Sequence, residues 1–145
     1  DLRFPHLYRK LAQAGARILT VPSAFSPTTG AAHWEVLMRA RAIETQAWVL
    51  APGQWGTHDA AGKRRSYGHS LIVDPWGRVL AEVDGDAPGI AVADIDLARV
   101  SEMRAKIPNL KKARAFDAGD RHIAVTGAID TQEAAHARSE PETAS

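Results

Sequence analysis

The sequence has no cysteine among its 145 residues, and other features that often define a protein class are scarce. Without cysteine, the chain can form no disulfide, hold no thiolate-bound metal and supply no cysteine nucleophile of its own. Eighteen basic residues face seventeen acidic ones, so the chain lacks the strong positive field that attracts nucleic acid or an anionic membrane. No apolar run approaches the roughly 18 residues that span a bilayer. The simplest prediction is a cytosolic, cytoplasmic protein with no nucleic-acid or membrane partner.

The residues that are present suit one globular domain, because 45% of them are hydrophobic and can form a core. Apolar residues recur at helical spacing in three stretches, and short β-branched runs bounded by turn residues predict strands. The predicted helices are 5–14, 31–47 and 97–107, and the predicted strands are 16–23, 48–56, the hairpin 67–83 and 90–96. The polar stretch 57–66 is interpreted as a solvent loop. This order predicts an α/β fold, a mixed sheet with helices on one face.

The first predicted helix has a single apolar face. Leu7, Leu11 and Ala14 recur on it at i, i+4 and i+7, so this face is predicted to lie on the sheet. In the second helix Arg41 and Glu44 are three positions apart between apolar residues, and they are predicted to form an ion pair.

The second predicted helix has two apolar stripes instead of one. One stripe contains Trp34 and Met38, and the other contains Val36 and Ile43. A helix that is apolar on both sides is expected to be covered on both sides, by its own sheet and by a further layer or subunit.

The end of the chain has a different composition. Residues 119–145 are polar, small and nearly free of aromatic side chains, which predicts a disordered tail after a domain spanning 1–118. The six histidines do not occur at metal-ligand spacing, so neither a metal site nor a cofactor is expected. From composition and spacing alone, the prediction stops at an α/β domain.

Four segments that follow one another in order carry more specific information. They read DLRFPHLYRKLAQAGARILTVPSAF, TGAAHWEVLMRARAIETQAWVLAPGQWG, SYGHSLIVDPWGRVLAEV and GIAVADID. Together they resemble the nitrilase, or carbon–nitrogen hydrolase, superfamily, and within it the Nit branch of the deaminated glutathione amidase type. The resemblance covers roughly residues 1 to 116 without large gaps.

The resemblance implies a fold and a chemistry. The family fold is a four-layer α-β-β-α sandwich, of which this chain resembles the C-terminal half. The family hydrolyses carbon–nitrogen bonds, here an amide of a small carboxylated substrate, through a thioester on a catalytic cysteine assisted by lysine and glutamate. In the family that cysteine stands two positions before the stretch that begins at Asp1. We therefore expect all three catalytic residues to lie before residue 1, and the chain alone to be an inactive fragment. Neither Glu35 nor Glu44 takes the place of the missing base.

The part of the family pattern that this chain does contain is the wall of the substrate pocket. The resemblance predicts eight pocket residues, which are Arg3, Phe4, Ser23, Ala24, Phe25, Thr28, Thr29 and His33. Three of them have a structural alternative that stays open at this point. Phe25 could simply pack in the core, Arg3 could belong to an ion pair, and His33 could support the neighbouring loop.

The resemblance also implies partners. These are a small-molecule amide substrate and, in the full-length form, a second copy of the chain in a homodimer. A different function remains possible for the same fold, namely a non-catalytic interaction module or a split subunit that pairs with a separate N-terminal half. Either case leaves an apolar sheet face uncovered in the isolated chain, which favours aggregation.

Overall fold

The computed structural model describes residues 1–85 and 87–112 of the chain. The predicted tail 119–145 lies outside the described residues. The elements of the described part are α1 (Pro5–Gln13), β1 (Ile18–Thr20), α2 (Pro27–Thr45), β2 (Trp48–Ala51), β3 (Trp55–Thr57), β4 (Arg65–Tyr67), β5 (Leu71–Val73), β6 (Val79–Glu82) and α3 (Ala98–Lys106). None of these described helices is both long and apolar enough to cross a membrane.

Four strands form one sheet in the order β1-β2-β5-β6. β1 and β2 are parallel, whereas β5 is antiparallel to both β2 and β6. The predicted hairpin between β5 and β6 turns at Asp74, whose carbonyl oxygen accepts the Gly77 backbone N–H at 2.9 Å. The side chain of Asp74 also accepts the backbone N–H groups of Trp76 and Arg78. The predicted mixed α/β sheet is confirmed.

The core lies between α2 and one face of the sheet. Trp34, Met38 and Ala42 of α2 are buried there, at most 2% exposed, against Val49 of β2 and Leu71 of β5. One of the two predicted apolar stripes of this helix is therefore the core stripe. Its second stripe is exposed in the described part of the chain, because the side chains of Val36 and Ile43 are 61% and 51% exposed.

Helix α1 turns a different face to the core from the one predicted. Tyr8 and Ala12 are buried, whereas Leu7 and Leu11 are 39% and 43% exposed, so the prediction from the leucine spacing is wrong. The larger tyrosine ring fills the space beside α2, where the Arg41 guanidinium carbon lies 5.6 Å from the ring centroid. Helical periodicity located the helix correctly but not its buried face.

Three segments differ from the sequence prediction in type or extent. Residues 57–66 are not simply a solvent loop, because their ends belong to the antiparallel β3–β4 ribbon. Residues 90–96 form no strand, since no described neighbour pairs with them, and Ile90 is 89% exposed. Helix α2 begins earlier than predicted, at Pro27, because the Ser26 Oγ accepts the Thr29 backbone N–H and caps the helix.

Candidate active site

The site begins where the two parallel strands end. After β1 the backbone N–H of Ser23 donates to Pro52 O at 3.1 Å, and after β2 the N–H of Gln54 donates to Ser23 O at 2.9 Å. These bonds hold the two strand ends side by side around an open cavity of about 430 Å³, lined by Pro22, Ser23, Ala24, Pro52, Gly53 and Gln54. Ligands of α/β sheets commonly bind at the carboxyl ends of the strands.

A cluster of three predicted site residues stands next to these strand ends. The Arg3 guanidinium carbon lies 5.3 Å from the centroid of the Phe25 ring, and both terminal nitrogens of Arg3 lie 3.3 Å from His33 Nδ1. The Phe25 ring in turn meets Trp34 edge to face, with 5.2 Å between centroids. Residues from the start of the chain, from the loop after β1 and from α2 thus converge on one surface.

The guanidinium of Arg3 is positively charged, and the described residues give it no carboxylate partner. Within residues 1–85 and 87–112 no acidic side chain lies within 4.0 Å of it, so the ion-pair alternative for Arg3 is not observed there. Its neighbours are an aromatic face and a ring nitrogen, neither of which neutralises it. A guanidinium has five N–H donors, and in the described chain those of Arg3 that do not face His33 are open to a carboxylate from solution.

The remaining predicted residues have varied positions. Thr29 lies in the first turn of α2, where its Oγ1 is 2.8 Å from the Ser26 Oγ, and Thr28 precedes it on the exposed side. Phe4 is 55% exposed, and its ring contacts His6 rather than the Phe25 cluster. The structure therefore brings Arg3, Phe25 and His33 together, places the two threonines at the adjacent helix start, and leaves Phe4 apart.

The start of the chain is fixed by a buried arginine. Arg41 of α2 donates from Nε and Nη2 to the carbonyl oxygen of Leu2, at 3.0 and 2.8 Å, and from Nη1 to Glu44 at 2.8 Å. The predicted pair between Arg41 and Glu44 is thus present. Because Leu2 directly precedes Arg3, the buried arginine also positions the exposed one.

Sequence reasoning missed the β3–β4 ribbon as a part of this site. The Tyr67 backbone N–H donates to Phe25 O at 2.9 Å, and the Tyr67 ring lies against Gly30, where a methyl group would overlap it. Glycine at this helix position is the signal that could have indicated a close approach. The prediction of a solvent loop at 57–66 did not reveal this contact, because nothing in the loop sequence indicated that the residues beside it pack on α2.

The described residues contain no group of three or more metal-ligating side chains that could hold an ion. The chain as a whole has no thiol. The arrangement therefore presents an exposed guanidinium beside the strand ends, and the sequence offers no cysteine nucleophile to accompany it.

The structure thus has a mixed sheet, helices packed on it, a cavity at the strand ends and an exposed arginine nearby. A model of the carbon-nitrogen hydrolase family matches residues 1–105, and the chain belongs to this family. The predicted nitrilase-like fold and family are confirmed.

Individual relatives make the family membership more specific. The chain is 54% identical over 114 residues to the deaminated glutathione amidase of Mus musculus, covering 79% of this chain and 34% of that protein. The crystal structure of the C. elegans NitFhit protein superposes with a TM-score of 0.74 at 46% identity, covering 79% of this chain and 27% of that one. The chain thus spans about a third of the length of the mouse relative.

A more distant structure has a ligand bound. A mutant amidase from Nesterenkonia sp. AN1 is 28% identical, with a TM-score of 0.59, and the match covers 79% of this chain and 38% of that one. That protein has the acetamide moiety of fluoroacetamide added covalently at its active-site cysteine.

Proposed function

We propose that this chain forms the substrate-binding wall of an amidase that hydrolyses a small carboxylated amide through a cysteine outside these 145 residues. In that reaction the thiolate attacks the amide carbon, the C–N bond breaks as the leaving amine takes a proton, and water cleaves the thioester to a carboxylate. Lysine and glutamate that lie, like this cysteine, outside these 145 residues would stabilise the oxyanion and transfer the protons. Residues 1–118 would belong to this catalytic domain, and a cytoplasmic location is part of the proposal.

The observation that carries the proposal is the guanidinium of Arg3, which no acidic side chain of the described residues neutralises. It stands beside Phe25 and His33 near the strand ends, where a substrate carboxylate could bind to it. Ser23 and Ala24 would bound the pocket floor, and the helix start with Thr28 and Thr29 would add a favourable field for an anion. Phe4, which lies apart from this cluster, is proposed only to border the entrance.

The absence of cysteine from the sequence supports the second half of the proposal. Purified residues 1–145 should release no ammonia from succinamate, a linear amide that carries one carboxylate. A longer protein that adds an upstream segment with cysteine, lysine and glutamate should release it. The same longer protein with that cysteine replaced by alanine is the control and should be inactive. Turnover by residues 1–145 alone would refute the proposal.

A second experiment addresses the pocket itself. In the longer protein Arg3→Gln should raise KM for succinamate, because it removes the guanidinium that binds the carboxylate. It should leave hydrolysis of the uncharged analogue butyramide nearly unchanged. Equal effects on both amides would mean that Arg3 has a structural role and does not recognise the substrate.

The exposed apolar side chains suggest a surface that binds a further protein chain, which the alternative function also requires. Leu7 and Leu11 of α1, and Val36 and Ile43 of α2, are all more than a third exposed in the described chain. We propose that a second copy covers α1 in a homodimer, or that a separate N-terminal subunit does so in a split protein. Leu11→Asp should convert the assembly to monomers in analytical ultracentrifugation, and an unchanged mass would contradict a role for this face.

A further inference from the structure

A second surface lies at the end of the sheet opposite the proposed pocket. It is formed at the β5–β6 turn, which follows Val73, and Val73 pairs with Val49, the second residue of β2. The cavity of the proposed pocket begins instead at Pro52, directly after the last residue of β2. The two surfaces therefore lie at opposite ends of β2, and they share no lining residue.

Two adjoining cavities form this second surface. Their volumes are about 220 and 280 Å³, and both are lined by Pro75, Trp76 and Met103. One cavity is otherwise lined by charged side chains, and the other has a mainly apolar lining. The charged half adds Asp74, Arg78, Arg99, Glu102 and Lys106, and the apolar half adds Ile43, Ile107 and the side-chain amides Gln46 and Asn109. We call this surface the amphipathic groove.

Side-chain amides hold the walls of the amphipathic groove together. Gln46, at the end of α2, donates from Nε2 to the carbonyl oxygens of Met103 and Ile107, at 3.0 and 2.6 Å. Asn109 donates from Nδ2 to the carbonyl oxygen of Glu44 at 3.0 Å. Because these bonds join the end of α2 to the end of α3, the groove exists in the folded chain before any ligand binds. A preformed site of this kind loses less conformational freedom on binding.

The charged half of the amphipathic groove leaves two cations available to a ligand. Asp74 is 3% exposed, and its carboxylate already accepts two backbone N–H groups and faces Arg99 at 3.4 Å. Within the part of the chain that the structure describes, neither Arg78 nor Lys106 lies within 4.0 Å of an acidic side chain. Glu102 is the exposed carboxylate of this lining, so cations are in excess and an anion is the complementary ligand.

Trp76 connects the charged half to the apolar half. Its ring is 51% exposed, and Lys106 Nζ lies 5.5 Å from the ring centroid. Ile43 and Ile107 on the apolar side are 51% and 46% exposed, so the described chain leaves about half of each uncovered. An apolar surface that continues into an unpaired cation fits a ligand with a hydrocarbon part and an anionic group.

We propose that the amphipathic groove binds a small organic anion with a hydrocarbon chain, of which a medium-length carboxylate is the simplest example. Its charged group contacts Arg78 and Lys106, and its chain lies along Trp76 toward Ile43 and Ile107. The groove is thus a ligand-binding site of the folded chain. This inference does not rest on the proposed function, because no residue of the proposed pocket takes part in it.

Three ligands test the proposal on residues 1–145. Hexanoate has both the charge and the chain, 1-hexanol lacks the charge, and acetate lacks the chain. NMR titration of the tryptophan indole N–H signals, with that of Trp76 identified in Trp76→Phe, reports binding at the groove. Hexanoate should bind about tenfold or more tighter than acetate, because two buried methylene groups suffice for that difference. It should bind about two- to fivefold tighter than 1-hexanol, the size expected for an exposed charge pair.

Paired variants separate the two halves of the amphipathic groove. Arg78→Gln combined with Lys106→Gln should remove the advantage of hexanoate over 1-hexanol. The control, Lys111→Gln combined with Lys112→Gln, removes the same charge from exposed positions outside the groove and should retain it. Ile43→Ser should weaken both ligands, whereas the control Val36→Ser, exposed on the same helix outside the groove, should not.

Three results would overturn the proposal. The first is a Trp76 signal that hexanoate does not shift. The second is a charge control that acts like the groove variant, since binding would then follow the net charge alone. The third is an equal effect of Ile43→Ser and Val36→Ser, which would mean that the chain of the ligand does not lie in the groove.

The longer, cysteine-containing protein provides a second measurement, which remains usable if the shorter chain aggregates. It should bind the three ligands in the same order of affinity, with the same dependence on Arg78 and Lys106. Binding to residues 1–145 that is absent in the longer protein would mean that another segment covers the groove, and would also overturn the proposal. These titrations need no turnover, so a failure of the proposed function leaves their outcomes unchanged.

Discussion

Arg41 provides the most direct test of how the fold holds the site, because it is buried and bonds the backbone just before Arg3. Arg41→Met keeps a long apolar side chain but leaves the buried carbonyl oxygen of Leu2 without its two donors. An unsatisfied buried acceptor costs about 1–3 kcal/mol. The lost contact with the Tyr8 ring adds about 0.5–1 kcal/mol.

The ion pair with Glu44 contributes less, although its 2.8 Å distance is short. The Glu44 side chain is 45% exposed, so water and salt screen the pair, and such pairs contribute at most about 1 kcal/mol. Taken together, Arg41→Met should lower the free energy of unfolding by about 1.5–5 kcal/mol. Glu44→Gln is the matched control and should lower it by less than about 1 kcal/mol.

The assay is urea denaturation followed by far-UV circular dichroism, with both variants measured against the parent protein. If the two substitutions cost the same, the ion pair and not the Leu2 carbonyl would be the dominant interaction. A loss below about 1 kcal/mol for Arg41→Met would refute the reasoning that this buried acceptor needs its donors. Arg41→Met should also weaken carboxylate binding at Arg3, since the preceding backbone would no longer be fixed.

Two further predictions concern neighbouring contacts. Gly30→Ala should displace the Tyr67 ring and lower the free energy of unfolding by about 1–3 kcal/mol. It should also loosen the β3–β4 ribbon, which faster hydrogen exchange of the ribbon amides would report. Ala31→Ser, at an exposed position, is the control, and unchanged exchange in Gly30→Ala would contradict the contact. Burial raises the pKa of Tyr8, an effect that Arg41 partly opposes, so the folded state retains the phenol proton more tightly than the unfolded one. The contribution of Tyr8 to the free energy of unfolding should therefore be complete below a pH of about 10 and should decrease as the pH rises above it. Tyr8→Phe should remove this contribution to the alkaline loss of stability, as measured by urea denaturation at a series of pH values.

Much of the fold could be predicted from the sequence, since it depends on local patterns. Pro5 and the apolar spacing predicted α1, Asp74 with Gly77 predicted the β5–β6 turn, and the β-branched run before Pro22 predicted β1. Each of these signals acts over a few residues, where turn geometry and helical period are decisive.

The errors occurred where the outcome depends on distant partners. The 90–96 segment has strand-like alternation but lacks a described strand to pair with, so its pattern alone could not make it a strand. The buried face of α1 was decided by Tyr8 packing against Arg41, more than thirty residues further on. The ribbon depended on the close approach of Tyr67 to Gly30, which no local pattern encodes.

The pocket could be predicted only in part, and two arginines show why. Arg3 and Arg41 are the same residue type, and the sequence placed Arg41 in an ion pair while leaving Arg3 open between an ion pair and a substrate contact. The structure separates them by what surrounds each guanidinium. Arg41 is buried, with Leu2 and Glu44 accepting its donors, so its charge is used within the fold. Arg3 is exposed without a described acidic partner, and the backbone bond from Arg41 to Leu2 fixes its position, so the buried cation makes the exposed one available to a ligand.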